Sequence, residues 1–126
     1  MGMFVKDFEE LEVYKLSREI VIDIYNLTLK DQFRRDFDLI SQIRRAGISV
    51  LSNIAEGFDR GSKKEFVLFL NYAKGSNGEL RAQLEISKEI NYITPNEYDY
   101  VKDKLIRNAK MISCLIKAIK SKNTHL

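Results

Sequence analysis

With 126 residues the chain is long enough for one domain with a real core and too short for two. A composition of 44% hydrophobic and 31% charged residues excludes a disordered chain, and one cysteine, Cys114, excludes an internal disulfide. The net charge of +3 is uneven: −3 over residues 1–33, +3 over 34–64, −3 over 65–101 and +6 over 102–126. Clustered positive charge attracts phosphates; a solvated face with a lysine-rich end is the simpler alternative. The single proline favours long helices. The start, Met1 to Lys6, lacks the apolar run of a secretory leader. The longest uncharged stretch, Ala46 to Ala55, falls far below the roughly 18 residues that cross a bilayer. A cytoplasmic protein with no membrane contact is expected.

Four helices are predicted in chain order, at about 9–29, 38–56, 62–91 and 95–120, all within one domain spanning 1–126. In the first, Val13, Leu16, Ile20, Ile24 and Leu27 recur at helical spacing. In the second, Leu39, Ile43, Ala46, Val50 and Ile54 form the stripe, and Gly57 is the expected left-handed terminator. The third opens with Ser62-Lys63-Lys64-Glu65, the pattern of a capping box, and turns Phe66, Phe69, Leu70, Ala73, Leu80 and Leu84 inward. Thr94-Pro95-Asn96-Glu97 repeats the device before the fourth, with Tyr98, Val101, Leu105, Ala109, Ile112, Ile116 (or Leu115) and Ile119 as its stripe. Fraying is expected past Ser121. Short connections near 30–37, 57–61 and 92–94 imply an all-α, antiparallel, up-down-up-down four-helix bundle.

Two helices are more apolar than one bundle core requires. Apolar residues of the second fill roughly 200° of its wheel at 100° per residue, with Arg44 inside the arc. The third carries Leu68, Tyr72, Gly75, Glu79, Ala82 and Ile86 at 4-3-4-3-4 spacing, a heptad seam on a separate face. Gly75 in mid-helix costs about 1 kcal/mol relative to alanine, which suggests that another backbone approaches there. Together with Arg44 these residues form the expected interface of a homo-oligomer. Arg44 is expected to meet a carboxylate, Glu79 first, in a largely buried setting within a subunit or between subunits, because an unpaired buried charge is costly; the alternative is that both side chains snorkel to water at the stripe edge.

No catalytic constellation is present, so no enzyme and no cofactor are expected. His125 is the one histidine and lies in the tail, which leaves no Ser-His or Cys-His dyad, no usual zinc set and no Glu-x-x-His pattern. Gly57-Phe58-Asp59-Arg60-Gly61 matches no nucleotide-binding loop. The start of the third helix beside Arg60, Lys63 and Lys64 is a weak candidate for anion binding.

The run Gln42-Ile43-Arg44-Arg45-Ala46, then Ser49, Asn53-Ile54-Ala55-Glu56-Gly57 and Arg60, resembles the signature of the 23S rRNA intervening-sequence proteins. Phe66, Phe69-Leu70, Ala73, Gly75-Ser76 and Glu79-Leu80 continue the resemblance, and Leu11 with Tyr14 extends it, over roughly Phe8 to Ile93. Gly47 and Asp59 depart from it, standing where alanine and glycine are commoner. The resemblance implies an antiparallel four-helix bundle in a ring-shaped homopentamer. It is shared with the accessory variability determinant of diversity-generating retroelements, a basic pentamer that works with a reverse transcriptase and RNA. The leading expectation is a non-enzymatic oligomer associated with structured RNA through phosphates, with Arg34, Arg35, Arg45, Arg60, Lys63 and Lys64 as contacts. Lys104, Arg107, Lys110 and Lys117 on the fourth helix support it. The alternative is a protein–protein adaptor or scaffold that binds no nucleic acid.

Overall fold

The computed structural model describes residues 5–123, with side chains as far as 121. Met1–Phe4 and His125 lie outside this range. A short 3₁₀ turn, Phe8–Glu10, precedes four helices: α1 (Glu12–Leu27), α2 (Phe37–Asp59), α3 (Lys63–Glu89) and α4 (Pro95–Asn123). The described residues contain no strand. The helix expected from residue 9 divides because Leu11 is extended (φ −72°, ψ 131°), so α1 restarts after it.

Local chemistry explains most boundaries. Asp36 caps α2 by accepting from the Leu39 N–H at 3.1 Å, which starts the helix before the predicted Asp38. Thr94 and Glu97 form the complete capping box: the Glu97 N–H donates to the Thr94 hydroxyl (3.1 Å) and the Thr94 N–H to the Glu97 carboxylate (2.8 Å). Ser62 accepts from the Glu65 N–H at 3.0 Å, while the Glu65 carboxylate turns toward Arg60 instead of closing the box. Past Glu89 the chain leaves α3 through Asn91 in the left-handed region (φ 64°), and the Tyr92 N–H returns to the Ser87 carbonyl at 2.9 Å. The helical backbone of α4 continues two residues past Ser121, where fraying was expected; the side chains there are outside the described range.

Gly57 does not terminate α2, which runs on to Asp59. A Cβ at Gly57 would stand 2.6 Å from the Phe69 Cβ and 3.2 Å from the Phe66 ring, so glycine is needed there for close helix approach. The positive φ falls on Gly61 instead (+82°). Gly75 differs: α3 passes through it unbroken, and an added Cβ would meet nothing within 4 Å of the chain.

The predicted stripes make the core, in two stacked clusters. One gathers Leu16, Ile20, Ile24, Ile43, Leu80, Leu84, Val101 and Leu105; the other gathers Val13, Val50, Ile54, Leu70, Ala73 and Ile112. Each fully buried leucine or isoleucine stabilises by roughly 1.5–3 kcal/mol. A polar network stands inside this core. The Asn77 amide donates to the Leu105 carbonyl (2.9 Å) and Asn108 Oδ1 (3.1 Å), and the Asn108 amide donates to Ser17 Oγ (2.9 Å), linking α1, α3 and α4. Phe33, in the connection between α1 and α2, is fully buried against the Tyr92 ring at 5.1 Å between centroids. The Tyr92 hydroxyl donates to the second oxygen of Asp36 (2.9 Å), which raises the phenol pKa.

Candidate functional site

The six cations expected at a phosphate-binding surface fall into separate groups. Arg34 and Arg35 precede α2, whereas Arg60, Lys63 and Lys64 follow its last turn, about 33 Å away along a 23-residue helix. Arg45 projects from the middle of α2 and is exposed. Two of the six are compensated within the chain. Arg34 lies 3.8 Å from Asp31, and Arg60 sits between Glu56 (2.8 Å) and Glu65 (3.6 Å) with its guanidinium over the Phe69 ring at 4.9 Å. The hydrogen bond to Glu56 is the largest effect on the Arg60 pKa; desolvation opposes it, and the attraction of both carboxylates adds to it, so the pKa is raised. Two carboxylates beside the start of α3 offset the field that would draw an anion to it. Arg35, Arg45 and Lys64 are exposed, Lys63 is half-buried, and none of the four makes an ion pair among the described residues.

Within the chain, Arg44 does not pair with Glu79. Its Nε donates to the Thr28 hydroxyl at 2.9 Å, that hydroxyl donates to the Tyr25 carbonyl at 2.9 Å, and the guanidinium stacks on the Tyr25 ring at 4.3 Å. At this level α2 turns residue 44 toward α1, not toward α3. Stacking covers the flat face of the guanidinium without a countercharge. Around it opens a cleft of about 410 Å³ lined by Tyr25, Phe37, Ile40, Arg44, Arg45 and Ile48. Phe37 is 79% exposed at its rim. Across the molecule, Leu68, Tyr72, Gly75, Glu79, Ala82 and Ile86 lie together on the outward face of α3, all exposed, and Glu79 has no ion-pair partner among the described residues.

The described residues contain no group of three His, Cys, Asp or Glu placed to hold a metal, and none of the described helices is long and apolar enough to cross a membrane. Between α1 and α4, Lys104 Nζ is 2.8 Å from Asp23 and 3.3 Å from Glu19, with its side chain only 11% exposed. Partial burial alone would lower the Lys104 pKa, but the hydrogen bond to Asp23, the neighbouring Tyr100, the charge of Asp23, and Glu19 together outweigh it and raise the pKa. Nearby, Lys30 meets Glu97 at 2.6 Å.

The sequence matches the 23S rRNA-intervening sequence protein family over residues 9–114. The chain belongs to that family. The match runs past Ile93 into α4, further than the motif resemblance reached. A solved structure, described as a protein of unknown function from the S23 ribosomal protein family of Bacteroides thetaiotaomicron, is similar at 28% identity and a TM-score of 0.77. The likeness covers 83% of this chain and 98% of that one. No curated protein matches this chain.

Several residues that carry the family signature form a clasp between α2 and α3. The Ser49 and Ser76 hydroxyls share a hydrogen bond at 2.8 Å, and the Asn53 amide donates to the Ser49 carbonyl (2.8 Å) and hydroxyl (3.1 Å). Gly57 admits Phe66 and Phe69, and Glu56 holds Arg60. Packing accounts for Ser49, Asn53, Gly57 and Ser76 of the signature, whereas Gln42, Arg45, Gly75 and Glu79 are exposed. Phe33, Asn77 and Asn108 escaped the sequence reading. For Phe33 the one available signal was an aromatic residue inside the polar run from Lys30 to Asp36.

Proposed function

We propose that this intervening-sequence family protein is a non-enzymatic, cytoplasmic oligomer that associates with structured RNA through phosphate contacts. The observation that carries the RNA reading is the set of exposed arginines and lysines, Arg35, Arg45, Arg107, Lys110 and Lys117 among them, that have no carboxylate of the described residues within ion-pair distance. Such charges release counterions from a phosphate backbone and position it without reading bases.

The helices take antiparallel, up-down-up-down order in this reading. Supporting it, Val13 near the start of α1 accepts from Asn108 of α4, and Lys30, just past the end of α1, meets Glu97 at the start of α4. Assembly is a ring, with a pentamer favoured by the family resemblance. Two unlike apolar faces support a head-to-tail contact: Tyr25, Phe37 and Ile48 beside Arg44 on one side, and Leu68, Tyr72 and Ile86 around Glu79 on the other. A face that differs from its partner generates a ring when the rotation closes. Arg44 and Glu79 then pair between subunits.

The adaptor reading draws its support from Arg34 and Arg60, each of which lies beside a carboxylate of the chain itself. A titration of purified protein with a fluorescent RNA hairpin at two salt concentrations separates the readings. Affinity that falls steeply with salt supports RNA association, and absence of binding at low salt leaves the adaptor. Light scattering that gives a monomer at tens of micromolar would overturn the ring.

A further inference from the structure

The second half of α4 stands apart from the rest of the surface. After Asp103 no acidic side chain occurs in the sequence, and residues 102–126 carry 7 basic side chains against 1 acidic. Arg107, Lys110, Lys117 and Lys120 are all exposed, and none of them makes an ion pair among the described residues. Arg107, Lys110, Cys114 and Lys117 follow a 3-4-3 spacing, so at 100° per residue they share an arc of about 80°. The buried Leu105, Asn108 and Ile112 point the opposite way. The result is a cationic ridge about 15 Å long from Arg107 to Lys117 at 1.5 Å per residue.

What surrounds the ridge narrows its partner. The large exposed apolar side chains occur on α1, α2 and α3, in the connections beside them and at Tyr100, but none lies between 101 and 121. A face with that composition offers a hydrophobic partner no large exposed apolar side chain to bury, whereas it offers a polyanion a row of charges without ion-pair partners among the described residues. It also differs from the α2–α3 corner, where Glu56 and Glu65 already hold Arg60.

We propose that the ridge of Arg107, Lys110 and Lys117 on α4 is the surface that contacts the RNA backbone, in place of the Arg60 corner. This inference rests on the RNA reading given above. The ridge is free of the apolar faces expected to join subunits, so every copy in a ring presents it.

The test uses the full chain and a fluorescein-labelled RNA hairpin, titrated at about 50 and 200 mM salt, where counterion release dominates. Lys110→Glu with Lys117→Glu is expected to weaken binding at least about tenfold at the lower salt and to flatten the log–log salt slope by about 1.4–1.8, two phosphate contacts. Arg60→Glu is expected to stay within about twofold of wild type, because that charge is already compensated. Should the double reversal disturb folding or assembly by circular dichroism or light scattering, Lys110→Gln with Lys117→Gln gives the same reading, with the same loss of slope. A second readout needs no variant: Cys114 is exposed in the middle of the ridge, and bound RNA is expected to slow its alkylation by N-ethylmaleimide. Wild type that binds RNA while the double variants bind equally well, with Cys114 unprotected, overturns the ridge and leaves the RNA reading standing. Wild type that binds no RNA at low salt overturns both. Tighter binding to phosphatidylserine vesicles than to RNA overturns the assigned partner.

Discussion

Lys104 and the lysines of the second half of α4 meet opposite surroundings, while Lys102 makes no ion pair among the described residues and lies over the Tyr98 ring. In the first half Lys104 is clamped between Glu19 and Asp23 of α1, and Glu97 receives Lys30. In the second half Lys110, Lys117 and Lys120 meet no carboxylate among the described residues. The helix is continuous and the residue type is the same; what differs is the neighbour across the groove. Beside the first half, α1 brings acidic residues. Beside the second it presents Val13 and Tyr14 at the core, and no carboxylate of α1 lies within ion-pair distance of Lys110, Lys117 or Lys120 among the described residues. The same side chain thus fixes a helix pair in one place and stands exposed without a countercharge among the described residues in the other. Asn108 marks the boundary, buried and bonded to both α1 and α3.

Four substitutions sharpen that division. The largest effect is expected at the boundary itself. Asn108→Ala removes the central member of the buried network, leaves Asn77 and Ser17 short of a partner and opens a cavity, at a cost of about 2–4 kcal/mol in urea unfolding. A loss below about 1 kcal/mol there would mean that the network contributes little.

Next comes Lys104→Met, which leaves Asp23 and Glu19 facing each other without a cation. The expected loss is about 1–3 kcal/mol at neutral pH. Its pH dependence has a definite sign. The folded-state pKa of Lys104 is raised above the ordinary 10.5, so its contribution is full below that value and is lost as pH rises through the folded pKa. Wild type and Lys104→Met are therefore expected to converge at strongly alkaline pH, and a gap that stays constant from pH 7 upward would break the assignment.

Glu97→Gln is expected to cost about 1 kcal/mol, combining part of a capping box with a half-exposed ion pair. Burial alone would raise the Glu97 pKa, but the hydrogen bonds from Lys30 and Thr94 and the charge of Lys30 lower it. This contribution is present above the ordinary 4.5 and disappears as pH falls through the lower folded value, so acid titration of the two proteins is expected to show their stabilities meeting at low pH.

The smallest effect is expected on the ridge. Lys117→Ala should change stability by less than about 0.5 kcal/mol. A loss as large as that of Lys104→Met would erase the difference between the two halves.

Much of the architecture could be read from the chain because it is written locally. Val13, Leu16, Ile20 and Ile24 repeat at the helical period and are all buried. Thr94 and Glu97 are three residues apart and cap each other as that spacing demands. The charge imbalance of residues 102–126 is likewise a property of the sequence. The candidate surface was legible only in part. The charges of Arg34, Arg35, Arg45, Arg60, Lys63 and Lys64 are visible as letters, but not which of them the fold neutralises or that α2 separates them.

Sequence alone, then, determined the four helices, most of their caps and their inward faces, because these depend on residues within one or two turns of each other. Only the tertiary structure decided that Gly57 admits Phe69 instead of ending α2, and that Phe33 closes the core from a connecting segment. It also decided that Arg44 stacks on Tyr25, that Asn77 finds Asn108 and that Lys104 finds Asp23. Those outcomes join residues that are 12 to 81 positions apart. Periodicity fixes which side of a helix faces inward; which residue of another helix stands opposite is set by how the helices pack, and that distance in sequence carries no local signal.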